Sequence, residues 1–444
     1  SCATRSAASA SRRSRTSRAV PEADVKRTID AIWRIESARL IAGLARIVRD
    51  VGLAEDLAQE AFVAALEQWP ESGVPERPGA WLMATAKHRA IDRLRRANLH
   101  ERKTADLLRG LERSGASDPA DLAAVIPDTI DDDLLRLIFM TCHPVLSADA
   151  RVALTLRLLG GLTTAEIARA YLVAESTIAQ RIVRAKKTLT AAHVPFQVPN
   201  DDELPERLGS VLEAIYLIFN EGYSPTAGDS WVRTELLEEA LRLGRILAGL
   251  MPQESEVHGL VALMELQASR SRARVGPRGE PVLLNDQDRS RWDYVLVTRG
   301  LAALDRATTL KAPLGPYTLQ AAIAACHART RAPEDTDWKQ IVALYDALAQ
   351  VMPSPVVELN RAVAVSRAFG PEAGLELVDA LADESALRDY HLLPSVRGDL
   401  LAKLGRSREA RREFDHAAAL ATNVQVRKLL RERASRAVPE KTGL

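Results

Sequence analysis

Residues 162–189 read LTTAEIARAYLVAESTIAQRIVRAKKTL, and their spacing is that of two short helices joined by a tight turn. In the first half Ile167, Ala168 and Tyr171 fall on one apolar face, and Thr163 followed by Glu166 has the spacing of a capping box. In the second half Ile178, Ile182, Ala185 and Leu189 form a stripe that packs inward. Gln180, Arg181, Arg184, Lys186 and Lys187 are left on the outer faces. A helix lying in the major groove of a DNA duplex needs that arrangement, with base-edge readers beside cations that neutralise phosphates. The stretch therefore predicts a helix-turn-helix with a basic second helix. A solvated helical hairpin shares the periodicity, so a companion motif has to decide between them.

That companion is residues 56–96, DLAQEAFVAALEQWPESGVPERPGAWLMATAKHRAIDRLRR, separated from the helix-turn-helix by an acidic gap. The segments AEDLAQEAF (54–62), AWL (80–82) followed by AIDRLRR (90–96), and TLRLLGGLTTAEIA (155–168) occur in that order. On these motifs residues 25–192 resemble a bacterial RNA polymerase sigma factor of the extracytoplasmic-function (ECF) class, which keeps only sigma regions two and four. The rest of the chain, with YLIFNEGYSPTAGD (216–229), LLNDQDRSRWD (283–293) and SPVVELNRAVAV (354–365), resembles the subgroup that carries a long helical C-terminal extension. The resemblance implies an all-α fold. Its expected parts are a disordered basic tail (1–24), the helical domain of sigma region 2 (25–98), an acidic linker (99–130) and the helix-turn-helix domain of sigma region 4 (131–192). A helical extension (200–335) and tetratricopeptide-like helical repeats (336–444) follow.

At 444 residues the chain exceeds what one hydrophobic core usually supports, and two to four domains are expected. Only 4% of residues are aromatic, Ala, Leu, Arg and Glu dominate, and β-branched runs are few, which favours helix and leaves almost no strand. The net charge of +1 averages segments of opposite sign. Residues 87–103 hold seven Lys or Arg against two acids, whereas 104–133 hold eight acids against two Arg. The basic footprint is therefore local, and the acidic run mimics a nucleic-acid strand suited to a positively charged channel. Arg12, Arg13, Arg15 and Arg18 in the tail are read as inert. Cys2, Cys142 and Cys326 lie far apart without metal-ligand spacing, so neither a disulfide framework nor a zinc site is expected. No run of 18 apolar residues exists and the first twenty residues have no apolar stretch, so a cytoplasmic protein without a membrane partner is expected.

Within 25–98, Ile32, Ile35, Leu40, Leu44 and Ile47 have the apolar spacing of one helix; Gly52 is expected to break it and the next to start near Ala54. Pro70, Pro75 and Pro78 with Gly73 and Gly79 predict no helix between Trp69 and Ala80, and Trp81 is read as a core anchor. Beyond Pro199 successive amphipathic helices begin with Leu208, Val211, Leu212, Ile215 and Phe219. Two helix-pair signals, WKQIVALYDAL (338–348) and LLAKLGRSREARREFDHAAAL (400–420), follow. The second places Gly405 at an inter-helix turn and Ala410 and Ala417 where helices approach closely, as in tetratricopeptide repeats. A plain helical bundle is the alternative.

On the helix from 54 to 66, Ala58, Phe62 and Leu66 are placed inward and Asp56, Gln59 and Glu60 outward. The resemblance implies that this acidic patch docks on the clamp helices of the largest subunit of core RNA polymerase. It implies too that the proline-marked loop captures a flipped base and that His88, Arg89, Asp92, Arg95 and Arg96 face the non-template strand and adjoining duplex. His88 stands where Asn is more usual. In the helix-turn-helix, Leu172 replaces the usual turn glycine and Ala174 the usual Ser cap, so the turn is expected to be rebuilt with Ser176 or Glu175 as cap. Thr177 and Gln180 are placed near bases, and Arg181, Arg184 and Lys187 at phosphates.

Cys142 and His143, in TCHP, are read as a helix end against the core. Asp286, Asp288 and Asp293, with Glu221 and Asp229, are the most enzyme-like carboxylates, although capping and pairing with Arg289 and Arg291 account for them more simply. No catalytic residue, cofactor or metal is expected. The reading is a sigma factor that binds core RNA polymerase and promoter DNA, with an extension that modulates it by offering a surface to a regulatory protein or small-molecule ligand. Two other classes stay open. One is a free-standing helix-turn-helix regulator, which leaves residues 54–66 without a role; the other is a ligand-sensing or enzymatic C-terminal domain, centred on Asp286 and Asp288. Residues 25–192 are expected to fold without the extension.

Overall fold

The computed structural model describes residues 22–108, 130–225, 231–277 and 279–437, arranged in two compact units that divide between Ile130 and Asp131. Nearly all of the expected basic tail and residues 109–129 of the expected linker lie outside the described residues. Among those described the fold is all-α, with eighteen α-helices and one isolated antiparallel bridge, Val275 to Pro281. No helix among them is long and apolar enough to cross a membrane.

The first unit packs α1 (Glu22–Val48), α2 (Val51–Ser72) and α3 (Pro78–Leu108) against one another. Ile41, Leu44, Leu57, Ala58, Ala61, Leu82 and Ala86 are buried between them, and Trp33 meets Phe62 edge-on at 4.6 Å. The break after α1 falls at Arg49, not Gly52. Arg49 takes a φ of 54°, and Asp50 caps α2 by accepting from Leu53 N at 2.7 Å. An Asp at the cap satisfies an orphan amide, which a glycine inside the first turn cannot do.

Pro70 does not stop α2 either. It forfeits one hydrogen bond near the helix end, and α2 continues to Ser72, where Gly73 at φ 81° donates to Trp69 O at 2.9 Å. Pro78 then opens α3, its fixed φ suiting a first turn. The connection is thus residues 73–77. Ile35 and Leu66, expected inside, are 66% and 43% exposed. Ile35 sits about 120° round α1 from Ile41 and so misses the core-facing arc.

The second unit opens with α4 (Ile130–Thr141), α5 (Ala148–Leu158), α6 (Thr164–Tyr171) and α7 (Glu175–Ala191). Without a break in packing it continues into α8 (Leu204–Tyr223), α9 (Thr234–Leu250), α10 (Ser255–Ala268), α11 (Tyr294–Thr309) and α12 (Pro316–Ala328). The array ends in α13 (Trp338–Val351), α14 (Pro355–Phe369), α15 (Pro371–Ala380), α16 (Leu392–Lys403), α17 (Ser407–Leu420) and α18 (Val424–Arg436). Each helix from α13 onward packs chiefly on its sequence neighbours, as stacked helix pairs do. Gly405 occupies its turn at φ 75°, and Ala410 and Ala417 are fully buried where α16 and α17 meet.

The join between α4–α7 and the extension is made by charge on helix ends. The last carbonyls of a helix have no partner within it and attract cations. Arg207 of α8 donates to Phe139 O at the end of α4 (3.0 Å), and Arg242 of α9 donates to Leu159 O at the cap of α5 (2.6 Å). Arg151, mostly buried in α5, pairs in return with Glu213 of α8 at 2.8 Å. A Cβ on Gly160 would come within 2.6 Å of Leu156 O and 3.1 Å of Glu239, so α9 fits against this corner only because no side chain stands there.

These contacts bear on the expectation that residues 25–192 fold without the extension. A chain ending after residue 195 loses both guanidinium caps, at about 1 kcal/mol each, as well as the apolar cover of α8. Helices α4–α7 in that truncation are expected to be destabilised by roughly 2 kcal/mol or more, read as a fall in the urea midpoint of their helical signal. An unchanged midpoint would show that the caps carry no stability.

Candidate nucleic-acid interface

Helices α6 and α7 form the helix-turn-helix around a small core in which Ile167, Ala168, Ile178, Ile182, Ala185 and Leu189 are all buried. The capping box is complete: Thr163 Oγ1 accepts from Glu166 N at 3.1 Å, and Glu166 accepts from Thr163 N at 2.8 Å. The turn is not rebuilt. Leu172 adopts the left-handed conformation at φ 54°, ψ 41°, and Ala174 holds the N-cap of α7 without a side-chain hydrogen bond. Leu172 N still donates back to α6, so the turn keeps its shape at the expense of strain at a non-glycine residue.

With its inner stripe buried, α7 turns Thr177, Gln180, Arg184 and Lys187 outward, all exposed and along one line of the helix. Arg184 and Lys187 carry no ion pair among the described residues. Arg181 differs. It is half-buried and paired with Asp149 of α5 at 3.0 Å, at the side of a shallow groove of about 340 Å³ lined also by Val145, Thr177, Gln180 and Arg184. Its charge is already partly neutralised, which sequence spacing could not reveal because Asp149 belongs to another helix.

In the first unit His88, Asp92, Arg95 and Arg96 form an exposed stripe along α3. Arg89 is turned away from that stripe. Its Nη1 donates to Glu60 O at 2.8 Å and lies 3.5 Å from Glu60 Oε2, while Arg93 reaches Glu60 Oε1 at 3.4 Å. Glu60, expected to face outward for a partner, is therefore held by α3, and Gln59 is hydrogen-bonded to Glu55 at 2.8 Å. Of the three α2 residues, Asp56 alone is exposed, and Gln59 and Glu60 are half-buried. The link between α2 and α3 was missed because nothing in local periodicity connects residues 29 apart. Trp81 packs edge-on against buried Trp69 at 5.3 Å, an anchor at the start of α3.

Cys142 is buried and shares a hydrogen bond with Thr155 at 3.3 Å; burial pushes its thiol pKa up. Burial and the nearby Arg207 lower His143 to about 4. A group beside a guanidinium is poorly placed for a cation, in keeping with the reading of TCHP as a helix end.

Residues 35–99 match the family described as Sigma-70 region 2, and residues 136–189 the family described as Sigma-70, region 4. Residues 207–308 match a family of unknown function, DUF6596. An uncharacterized protein of Rhizobium meliloti is 46% identical over 392 residues, 86% of this chain and 89% of that protein. The ECF RNA polymerase sigma factor SigC of Mycobacterium tuberculosis is 30% identical over 174 residues, 39% of this chain and 83% of the relative. The probable ECF RNA polymerase sigma factor SigI of the same organism is 28% identical over 173 residues, 38% of this chain and 57% of the relative. The chain belongs to the ECF sigma factors. It is the form with a long helical C-terminal extension, and α6–α7 is the helix-turn-helix of its region four.

Two substitutions test the turn. Leu172→Gly relieves the left-handed strain at a side chain that is 53% exposed and packs little; a gain of about 1 kcal/mol is expected. Ala174→Ser supplies the missing cap acceptor, for a further gain of about 1 kcal/mol. Urea denaturation of the sigma factor checks both, and a loss of stability in Leu172→Gly would mean that the turn is not strained.

Proposed function

We propose that this sigma factor binds core RNA polymerase through the exposed edge of α2 around Asp56 and directs initiation by reading two promoter elements. The observation that carries the reading is the line Thr177, Gln180, Arg184 and Lys187. It stands free on a helix whose other face is buried, with the extension in place. Thr177 and Gln180 are short enough to read base edges, while Arg184 and Lys187 neutralise phosphates. On α3, His88, Asp92, Arg95 and Arg96 face the opened strand near the start site. Arg89 serves as a positioning residue that holds α3 on α2 through Glu60. The exposed state of α7 favours an extension that supports region four over one that masks it, and no catalytic role is assigned to the chain.

Asp56→Lys is expected to abolish assembly with purified core polymerase without changing the thermal midpoint, since Asp56 is exposed and its side chain makes no hydrogen bond or ion pair among the described residues. Normal run-off transcription by this variant would remove Asp56 from the docking surface.

For DNA, neutralising Arg184 or Lys187 should each lower the slope of log affinity against log salt by about one, uniformly across promoter sequences. Arg181→Ala should lower it by less, because Asp149 already holds that charge. Gln180→Ala should change base preference instead. Equal slopes in all variants would place α7 in a different register.

A further inference from the structure

Two stretches of the extension to which the sigma reading gives no role, 216–225 and 283–293, converge with Trp231, Arg270 and Arg274 on one cluster of cations and aromatic rings. Tyr223, 8% exposed at the end of α8, accepts through its hydroxyl from Arg270 Nη2 at 2.9 Å. Arg274 lies over the Tyr223 ring at 3.7 Å and over Trp231 at 5.1 Å. Arg289, itself buried, lies over Trp292 at 5.1 Å, and Arg270 approaches the same indole at 5.9 Å.

Elsewhere in the extension buried charge is paired. Glu221 holds Arg233 at 2.5 Å, and Glu265, 1% exposed, holds Arg245 at 2.8 Å and Arg299 at 3.5 Å. Arg270, Arg274 and Arg289 have no carboxylate within ion-pair distance among the described residues. Arg289 donates to neutral acceptors, His327 O at 2.9 Å and Thr330 O at 2.7 Å. The Nε atoms of all three, with the indole Nε1 of Trp231 and Trp292, are buried donors that meet no acceptor.

Unpaired buried donors oppose folding, and the cluster gathers positive charge, half-buried at Arg270 and Arg274 and buried at Arg289, where Glu334 and Asp335 offset it only in part. The positive potential shows in the neighbours. Burial together with Arg270 and Arg289 lowers His327 to about 4. Burial alone would raise the Tyr223 phenol, yet Arg270 and Arg274 hold it below its usual value. The carboxylates of 283–293 do not supply the missing charge. Asp288 caps the following turn through Ser290 N at 2.9 Å, and Asp293 caps α11 through Val295 N at 3.0 Å.

Donor-only guanidinium forks, fixed in orientation by stacking on aromatic faces, are suited to acceptor-only oxyanions. We propose that Tyr223, Trp231, Arg270, Arg274, Arg289 and Trp292 form a binding site for a small molecule bearing a phosphate or carboxylate group.

The test titrates the full-length chain with inorganic pyrophosphate, and separately with citrate, at constant ionic strength, following tryptophan fluorescence and the thermal midpoint. A saturable fluorescence change with a rising midpoint is expected for at least one of them. Saturation by pyrophosphate alone assigns the site to phosphates, and by citrate alone to carboxylates. Arg274→Gln is expected to weaken that binding roughly tenfold or more. Arg274→Lys keeps the charge and covers the case of a variant that does not fold; it should weaken binding too, since an ammonium cannot present two parallel donors. An absent or unsaturable response to both anions, or saturation unchanged in the folded variants, overturns the site.

Discussion

Two guanidiniums tie sigma region four to the extension: Arg207 on the last turn of α4 and Arg242 on the cap of α5. Carbonyls at helix ends must find a donor in water or in the protein. Here the donors come from α8 and α9, so two of the four helices of sigma region four, α4 and α5, have an end carbonyl satisfied by the folded extension. Arg151 ties the same corner in the opposite direction, from α5 to Glu213. At the same corner α5 packs against α8, and Gly160 leaves room for the side chain of Glu239.

The consequence for function is one of orientation. The extension covers the α4–α5 side of region four, and α7 keeps its outer line clear for a duplex. Region two solves a similar problem with Glu60, whose backbone and carboxylate anchor Arg89 and Arg93 and so fix the face that α3 presents. In both units an arginine that spacing assigns to nucleic acid, Arg89 or Arg181, is instead paired with a carboxylate of a neighbouring helix.

Much of this was legible in the chain. Inward stripes such as Ile178, Ile182, Ala185 and Leu189 are dictated by helical period, and the Thr163–Glu166 box and the Gly405 turn are local chemistry that spacing reports faithfully. Boundaries set by competing local signals were less so: Asp50 as a cap outweighed Gly52 as a breaker, and Pro70 was absorbed near a helix end. Leu172 shows tertiary packing overriding intrinsic preference, since the burial of both flanking helices holds a left-handed leucine in place. The bonds from Arg207 and Arg242 to distant carbonyls were not legible, because a backbone acceptor leaves no mark in the sequence. In the extension the sequence pointed to the aspartates of 283–293 as the most enzyme-like groups, whereas the cluster from which a site is proposed is made of arginines, whose significance lies in the carboxylate partner they lack among the described residues.

Native-state hydrogen exchange of the full-length chain tests most directly whether region four and the extension are one cooperative structure. The slowest amides of α4 to α7 and those of α8 to α10 should open with the same free energy and the same denaturant dependence, as one cooperative unit does. Amides of α4 to α7 that open by a separate, lower-energy event while α8 to α10 remain protected would contradict the account.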